Sequence, residues 1–158
     1  MVALVGGERD LPEVLDNLVQ LDLDIRESYD PALPGVTTDA LRTMLKAFKE
    51  DHQKQARALA ELLERRGRTL TIGLVTREIV GISAVTAAEV VGDEAILETL
   101  IRCEQDAIAA YERATGFAAQ DPQVRELLQI GLDCFLRHQD SLVQMLASTA
   151  PDGSQAEP

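Results

Sequence analysis

The chain has two histidines, His52 and His138, and two carboxylates set into otherwise apolar helical stripes, Asp22 and Glu104. Imidazole and carboxylate together are the donor set that zinc, iron or manganese accepts. An ionised carboxylate in a helical core is costly unless it is paired, hydrogen-bonded or bound to a metal, so each of these groups requires a partner. Two chemistries satisfy that requirement. Asp22, His52, Glu104 and His138 can ligate a metal. Alternatively, with no cofactor at all, they can join Tyr29 and Tyr111 in a buried hydrogen-bond network that fixes helix register.

The spacing that places these residues inward is repeated. Leu97, Leu100, Glu104, Ala107 and Tyr111 step by three and four and share one helix face. Moving back 82 residues gives Leu15, Leu18, Asp22, Ile25 and Tyr29, in the same order of aliphatic, carboxylate and tyrosine. A second repeat, offset by 86, relates Leu41, Leu45, Phe48, His52 and Leu59 to Leu127, Gly131, Cys134, His138 and Met145. Each half is therefore a helix with an inward carboxylate followed by a helix with an inward histidine.

The elements that must carry these stripes follow from capping and turn chemistry. Helix one is expected from about Leu11 to Tyr29, opened by Pro12 and stopped by the turn composition of Asp30, Pro31, Pro34 and Gly35. Thr37 or Thr38 can cap a second helix from Ala40 to Arg65, ending at Gly67. Residues 68–91 exceed the usual helix–helix connection and carry Val75, Ile79, Ile82 and Val85 at helical spacing, which predicts a crossover with a short helix of its own. Asp93 is placed to cap the third helix, and Asp121 followed by Pro122 opens a fourth that reaches about Ser148. The expected architecture is an all-α four-helix bundle of two antiparallel pairs over residues 11–148, with a flexible start (1–10) and a disordered tail (149–158) expected on either side.

Within the second pair, Glu104 lies as far before Asp121 as His138 lies after it, so the two are level across a gap of roughly 8–10 Å and His138 is the expected partner of Glu104. Contact between Asp22 and His52 depends on the shape of the Pro31 to Pro34 segment.

Composition narrows the function. A net charge of -12 with 3% aromatic residues and no tryptophan opposes binding to nucleic acid or anionic membrane and offers few surfaces for stacking bases. No apolar run reaches the roughly 20 residues of a membrane span, and the first residues do not read as a signal peptide, which gives an expectation of a cytoplasmic protein. Cys103 and Cys134 fall within helices and read as reduced packing residues, with thiol ligation of a metal as the lesser alternative. No Gly-rich phosphate loop, G-x-S-x-G elbow or C-x-x-C pair occurs. Charged runs such as Lys49, Glu50 and Asp51 read as solvated helix faces. The crossover stripe predicts self-association as a homodimer.

The strings ILETLIRCEQDAIAAYERA, with Glu104, Asp106 and Tyr111, and FLRHQDSLVQML, with His138, carry a resemblance. Over about residues 11 to 147 the chain resembles the ferritin-like superfamily, and more closely a bacterial branch of it known as a domain of unknown function. The resemblance implies a bundle in which one helix of each pair gives a carboxylate and the other a Glu-x-x-His, together holding two irons. Asp22 and Glu104 match the single carboxylates, and His52 and His138 match the histidines. Lys49 and Phe135 stand where the remaining glutamates would be, so a di-iron centre would lack two of its ligands. The sequence leaves two functions open: a degenerate metal site, or a metal-free helical interaction module.

Overall fold

The computed structural model describes residues 10–70 and 92–149, which form four long helices with no strand among the described residues. They are α1 (Leu11–Gly35), α2 (Asp39–Arg65), α3 (Asp93–Phe117) and α4 (Pro122–Thr149). The expected crossover helix, the dimer stripe from Val75 to Val85 and the tail beyond Thr149 lie outside the described residues.

Three of the four helices begin at a side chain that meets an orphan backbone donor. The Asp10 carboxylate accepts from the Glu13 amide at 3.0 Å, Thr38 Oγ1 accepts from the Leu41 amide at 3.2 Å, and Asp121 Oδ1 accepts from the Val124 amide at 3.1 Å. Gly67, at φ +76°, closes α2 in the left-handed region.

Two expectations need correcting. First, α1 does not stop at Tyr29 but continues through Pro31 and Pro34 to Gly35. A proline this close to a helix end removes few backbone bonds, and continuing buries Ala32 and brings Val36 into the core. A Lys49–Asp30 ion pair and an Arg42 bond to the Val36 carbonyl tie the extra turns to α2. Second, Asp93 does not cap α3. Gly92 occupies the cap position, and the Asp93 carboxylate reaches across to the Thr37 amide (3.1 Å) and hydroxyl (2.6 Å). That bond pins the start of α3 to the turn between α1 and α2.

α1 packs on α2 and α3, and α4 packs on α3 and α2, so the sequence neighbours α2 and α3 face each other across the bundle's diagonal. Tyr29 pairs with Glu104 and Asp22 with Tyr111, seven residues apart on each helix and in reversed order, so α1 and α3 are antiparallel. Arg66 at the end of α2 pairs with Asp121 at the start of α4, and the Gln55 amide donates to the Leu127 carbonyl, so these helices are also antiparallel.

The core is aliphatic, as the composition required. Leu15, Leu18, Leu45, Leu59, Leu97 and Leu100 are all fully buried. Each such side chain contributes about 1.5–3 kcal/mol relative to exposure, and together they provide the driving force that carries a polar centre inside. One glycine is required by packing: a Cβ on Gly131 would sit 2.6 Å from both Gln55 Nε2 and Tyr111 Cε1.

Candidate functional site

Halfway along the bundle the aliphatic core gives way to a polar layer. Asp22, His52 and Glu104 are fully buried and His138 is 2% exposed, so all four residues singled out from the sequence face the interior. Each comes from a different helix, and the stripe positions that flank them anchor the backbone on both sides.

His52 is the hub. Its Nδ1 lies 3.0 Å from Asp22 Oδ1 on α1, and its Nε2 lies 3.0 Å from Glu104 Oε1 on α3, so the ring spans the bundle's diagonal. Both partners are acceptors, and the ring meets both hydrogen bonds as an imidazolium. Burial opposes that charge, but the Glu104 charge and the bonds to Asp22 and Glu104 outweigh it and push His52 up to about 10. Burial likewise works against the Glu104 charge, yet the charge on His52 and the two neighbouring histidines bring its carboxyl down to about 2. For Asp22, burial wins over its bonds to His52 and Tyr111, and its pKa rises.

The two tyrosines cross between the repeated halves. Tyr29 of α1 donates to Glu104 Oε1, and Tyr111 of α3 donates to Asp22 Oδ2. Both phenols are pushed well above their ordinary range, first by burial and then by the carboxylate each one touches, so they remain donors. Phe135 stacks on the His52 ring at a centroid distance of 4.3 Å and meets Tyr111 edge-on. It fills the position where the resemblance would place a glutamate, and Lys49, the other such position, turns to Asp30.

His138 differs from its repeat equivalent, His52. Its Nδ1 lies 3.4 Å from Glu104 Oε1 but makes no hydrogen bond, and Glu104 Oε2 also has none, although both atoms are buried. Its Nε2 faces outward, 3.3 Å from Asp51 Oδ2 and 3.4 Å from Cys134 Sγ. Phe48 stacks on its ring at 3.9 Å. The turn brings Glu104 and His138 into contact as expected, at 3.4 Å, but the hydrogen bonds of Glu104 come from His52 and Tyr29. The diagonal contact wins because the α2 side chain at the bundle centre reaches Glu104 directly, while the α4 ring is drawn outward by Asp51.

Asp51 was not legible as part of the site. In the run Lys49, Glu50, Asp51 it reads as a solvated charge, and only its place one residue before His52 and opposite Cys134 reveals the role. Cys134 is half-buried and free, as is Cys103.

His52, Glu104 and His138 could hold a metal ion, each offering one donor atom within a compact volume. Asp22 joins this group through the far nitrogen of His52 rather than directly. Residues 10–117 match the family described as Domain of unknown function (DUF2383). The chain belongs to this family. The DUF2383 match takes in Asp22, His52, Glu104 and both tyrosines, and stops before α4 with its Cys134 and His138. No curated protein matches the chain. No helix among the described residues is long and apolar enough to cross a membrane.

Proposed function

We propose that this chain is a ferritin-like bundle that binds one divalent metal, of the iron, zinc or manganese type, through His52 Nε2, Glu104 and His138 Nδ1. The observation that carries the reading is that Glu104 Oε2 and His138 Nδ1 are buried without hydrogen bonds, in a cluster where His52, Glu104 and His138 each bring a donor atom close to the other two. Buried donors and acceptors are nearly always satisfied, and a cation among these three residues would satisfy them together.

Distances support it. Ligand atoms bonded to one metal at about 2.1 Å lie about 3.0–3.5 Å apart across angles near 90–110°. Glu104 Oε1 is 3.0 Å from His52 Nε2 and 3.4 Å from His138 Nδ1. The outer shell has the form expected of metal-binding histidines, in which the second ring nitrogen donates to a carboxylate. Asp22 serves His52 and Asp51 serves His138. In this reading Asp22 fixes the tautomer of His52, and the metal takes the nitrogen that Glu104 otherwise occupies.

The ferritin-like assignment is supported by the helix directions, with α1 and α4 running one way and α2 and α3 the other, and by the long segment joining α2 to α3. Phe135 and Lys49 in the two glutamate positions favour one metal over two. Two imidazoles and one carboxylate leave open positions on an iron-type ion, where water or peroxide could bind.

The alternative, a metal-free interaction module, is favoured by one observation: His52, Asp22, Tyr29 and Tyr111 are already hydrogen-bonded to one another and to Glu104 without a cation. A titration separates the two. Metal-stripped Cys134→Ser protein, lacking the outer thiol, is titrated anaerobically with Fe²⁺, Mn²⁺ and Zn²⁺. One saturable site per chain that is lost in Glu104→Gln supports the metal reading. No saturable binding, or binding unchanged by Glu104→Gln, supports the module.

A further inference from the structure

The outward nitrogen of His138 faces a second cluster, of which the core reading uses only the Asp51 oxygen, as an outer-shell acceptor. Asp51 on α2 and Cys134 and His138 on α4 bring a carboxylate, a thiol and an imidazole together at the bundle surface, and the Asp51 side chain is 33% exposed. We propose that Asp51, Cys134 and His138 form a separate, solvent-facing site for a zinc-like divalent ion, bound through Asp51 Oδ2, Cys134 Sγ and His138 Nε2.

All three edges of the donor triangle fit such an ion. Bonds of about 2.3 Å to sulphur and about 2.0–2.1 Å to nitrogen or oxygen, at tetrahedral angles, set sulphur about 3.5–3.6 Å from the other donors and nitrogen about 3.3–3.4 Å from oxygen. The observed separations are 3.4 Å for sulphur to nitrogen, 3.7 Å for sulphur to oxygen and 3.3 Å for nitrogen to oxygen. As a hydrogen bond the Asp51–His138 contact is long at 3.3 Å, since an imidazolium–carboxylate bond is ordinarily about 2.7–2.9 Å, while the two sulphur contacts are of ordinary length. The spacing suits an ion at the centre better than a proton on an edge.

The surroundings hold the donors in place. Phe48 stacked on the His138 ring fixes its tilt. Lys54 takes the other Asp51 oxygen at 3.0 Å and leaves Oδ2 turned inward. Cys134 and His138 are one helical turn apart, a spacing that puts both on the same face of α4. A thiolate and a carboxylate together neutralise a divalent charge, and mixed sulphur, nitrogen and oxygen donation favours zinc or cobalt over magnesium or calcium. Three protein ligands leave the fourth position to solvent. A neutral imidazole offers one lone pair, so His138 serves the outer ion through Nε2 in place of ligating in the core through Nδ1, and only the outer site draws on sulphur, which tells the two apart.

Cobalt is the probe, because a thiolate bound to Co²⁺ gives a charge-transfer band in the near ultraviolet that imidazole and carboxylate ligands do not. Reduced, metal-stripped full-length chain titrated anaerobically with Co²⁺ should develop this band to saturation. The band should be lost in Cys134→Ser, kept in Cys103→Ser, and require at least tenfold more Co²⁺ in Asp51→Asn. Zn²⁺ should slow alkylation of Cys134 in the wild-type chain, a readout that needs no variant to fold. Any of four results overturns the proposal: no thiolate band in the wild type, a band that follows Cys103, an unchanged Asp51→Asn titration, or Cys134 alkylation indifferent to Zn²⁺. Metal binding without a thiolate band in Cys134→Ser would leave the core reading standing on its own.

Discussion

Removing His52 should be the most damaging single change to the metal-free protein. His52→Ala takes away the shared hydrogen-bond donor of two fully buried carboxylates, leaving Glu104 Oε1 with the Tyr29 bond and the longer 3.4 Å contact to His138, and Asp22 with Tyr111 alone. Breaking a buried ion pair from one side costs about 3–5 kcal/mol, and the lost stacking on Phe135 adds to it. His138→Ala should cost less, about 1–2 kcal/mol, because Nδ1 makes no hydrogen bond and Nε2 shares only a long, part-exposed contact with Asp51. The assay is urea unfolding of metal-stripped protein at mildly acidic pH, with midpoint and slope both fitted. Adding Glu104→Gln to His52→Ala should restore part of the loss, since a neutral amide is cheaper to leave beside Tyr29 than a charge. Losses from Glu104→Gln and His52→Ala that simply add, or a His138→Ala loss equal to that of His52→Ala, would refute His52 as the hub.

Other consequences are open to measurement. Apo stability should peak between about pH 4.5 and 6.5: the His52 contribution is full below its ordinary 6.5 and is lost as pH climbs through about 10, while that of Glu104 is full above its ordinary 4.5 and is lost as pH falls toward about 2. The raised Asp22 pKa acts in the opposite sense and softens the acid limb, and a stability that still increased from neutral into alkaline pH would contradict the charged His52. Metal affinity should instead increase with pH, because the ion competes with the proton on His52; titration calorimetry in buffers of differing ionisation enthalpy would detect the released proton. Gly131→Ala should destabilise by about 1–3 kcal/mol, since its methyl would overlap Gln55 and Tyr111 at 2.6 Å; a melting temperature equal to wild type would mean that this contact relaxes freely. Tyr29→Phe and Tyr111→Phe should each cost about 1–3 kcal/mol by leaving a buried carboxylate oxygen short of a donor, and equal losses in both would reflect the crossed, repeated arrangement.

Much of this was written in the spacing of the chain. The two offset repeats put Asp22, His52, Glu104 and His138 on inward faces, and all four are buried because each occupies a slot in an otherwise aliphatic stripe. What periodicity cannot supply is which helices face one another. Folding α3 and α4 about Asp121 makes His138 level with Glu104, and it is, but the hydrogen bond comes from His52 across the diagonal, a relation that depends on how the two pairs dock. The same ignorance hid Asp51, whose side chain is a surface charge or a donor according to whether α4 lies beside it. Local chemistry misled at Pro31 and Pro34, where tertiary burial of Ala32 and Val36 outweighs a turn composition, and at Asp93, where a turn from another helix competes for the carboxylate.

The most direct test of a metal in the polar core is anomalous scattering from a crystal of the chain equilibrated with Mn²⁺ or Zn²⁺. A peak among His52 Nε2, Glu104 and His138 Nδ1, at about 2.0–2.2 Å from each and with His52 Nδ1 still held by Asp22, is the expected result. No peak there, with His52 Nε2 still hydrogen-bonded to Glu104 Oε1 at the present 3.0 Å, would contradict it.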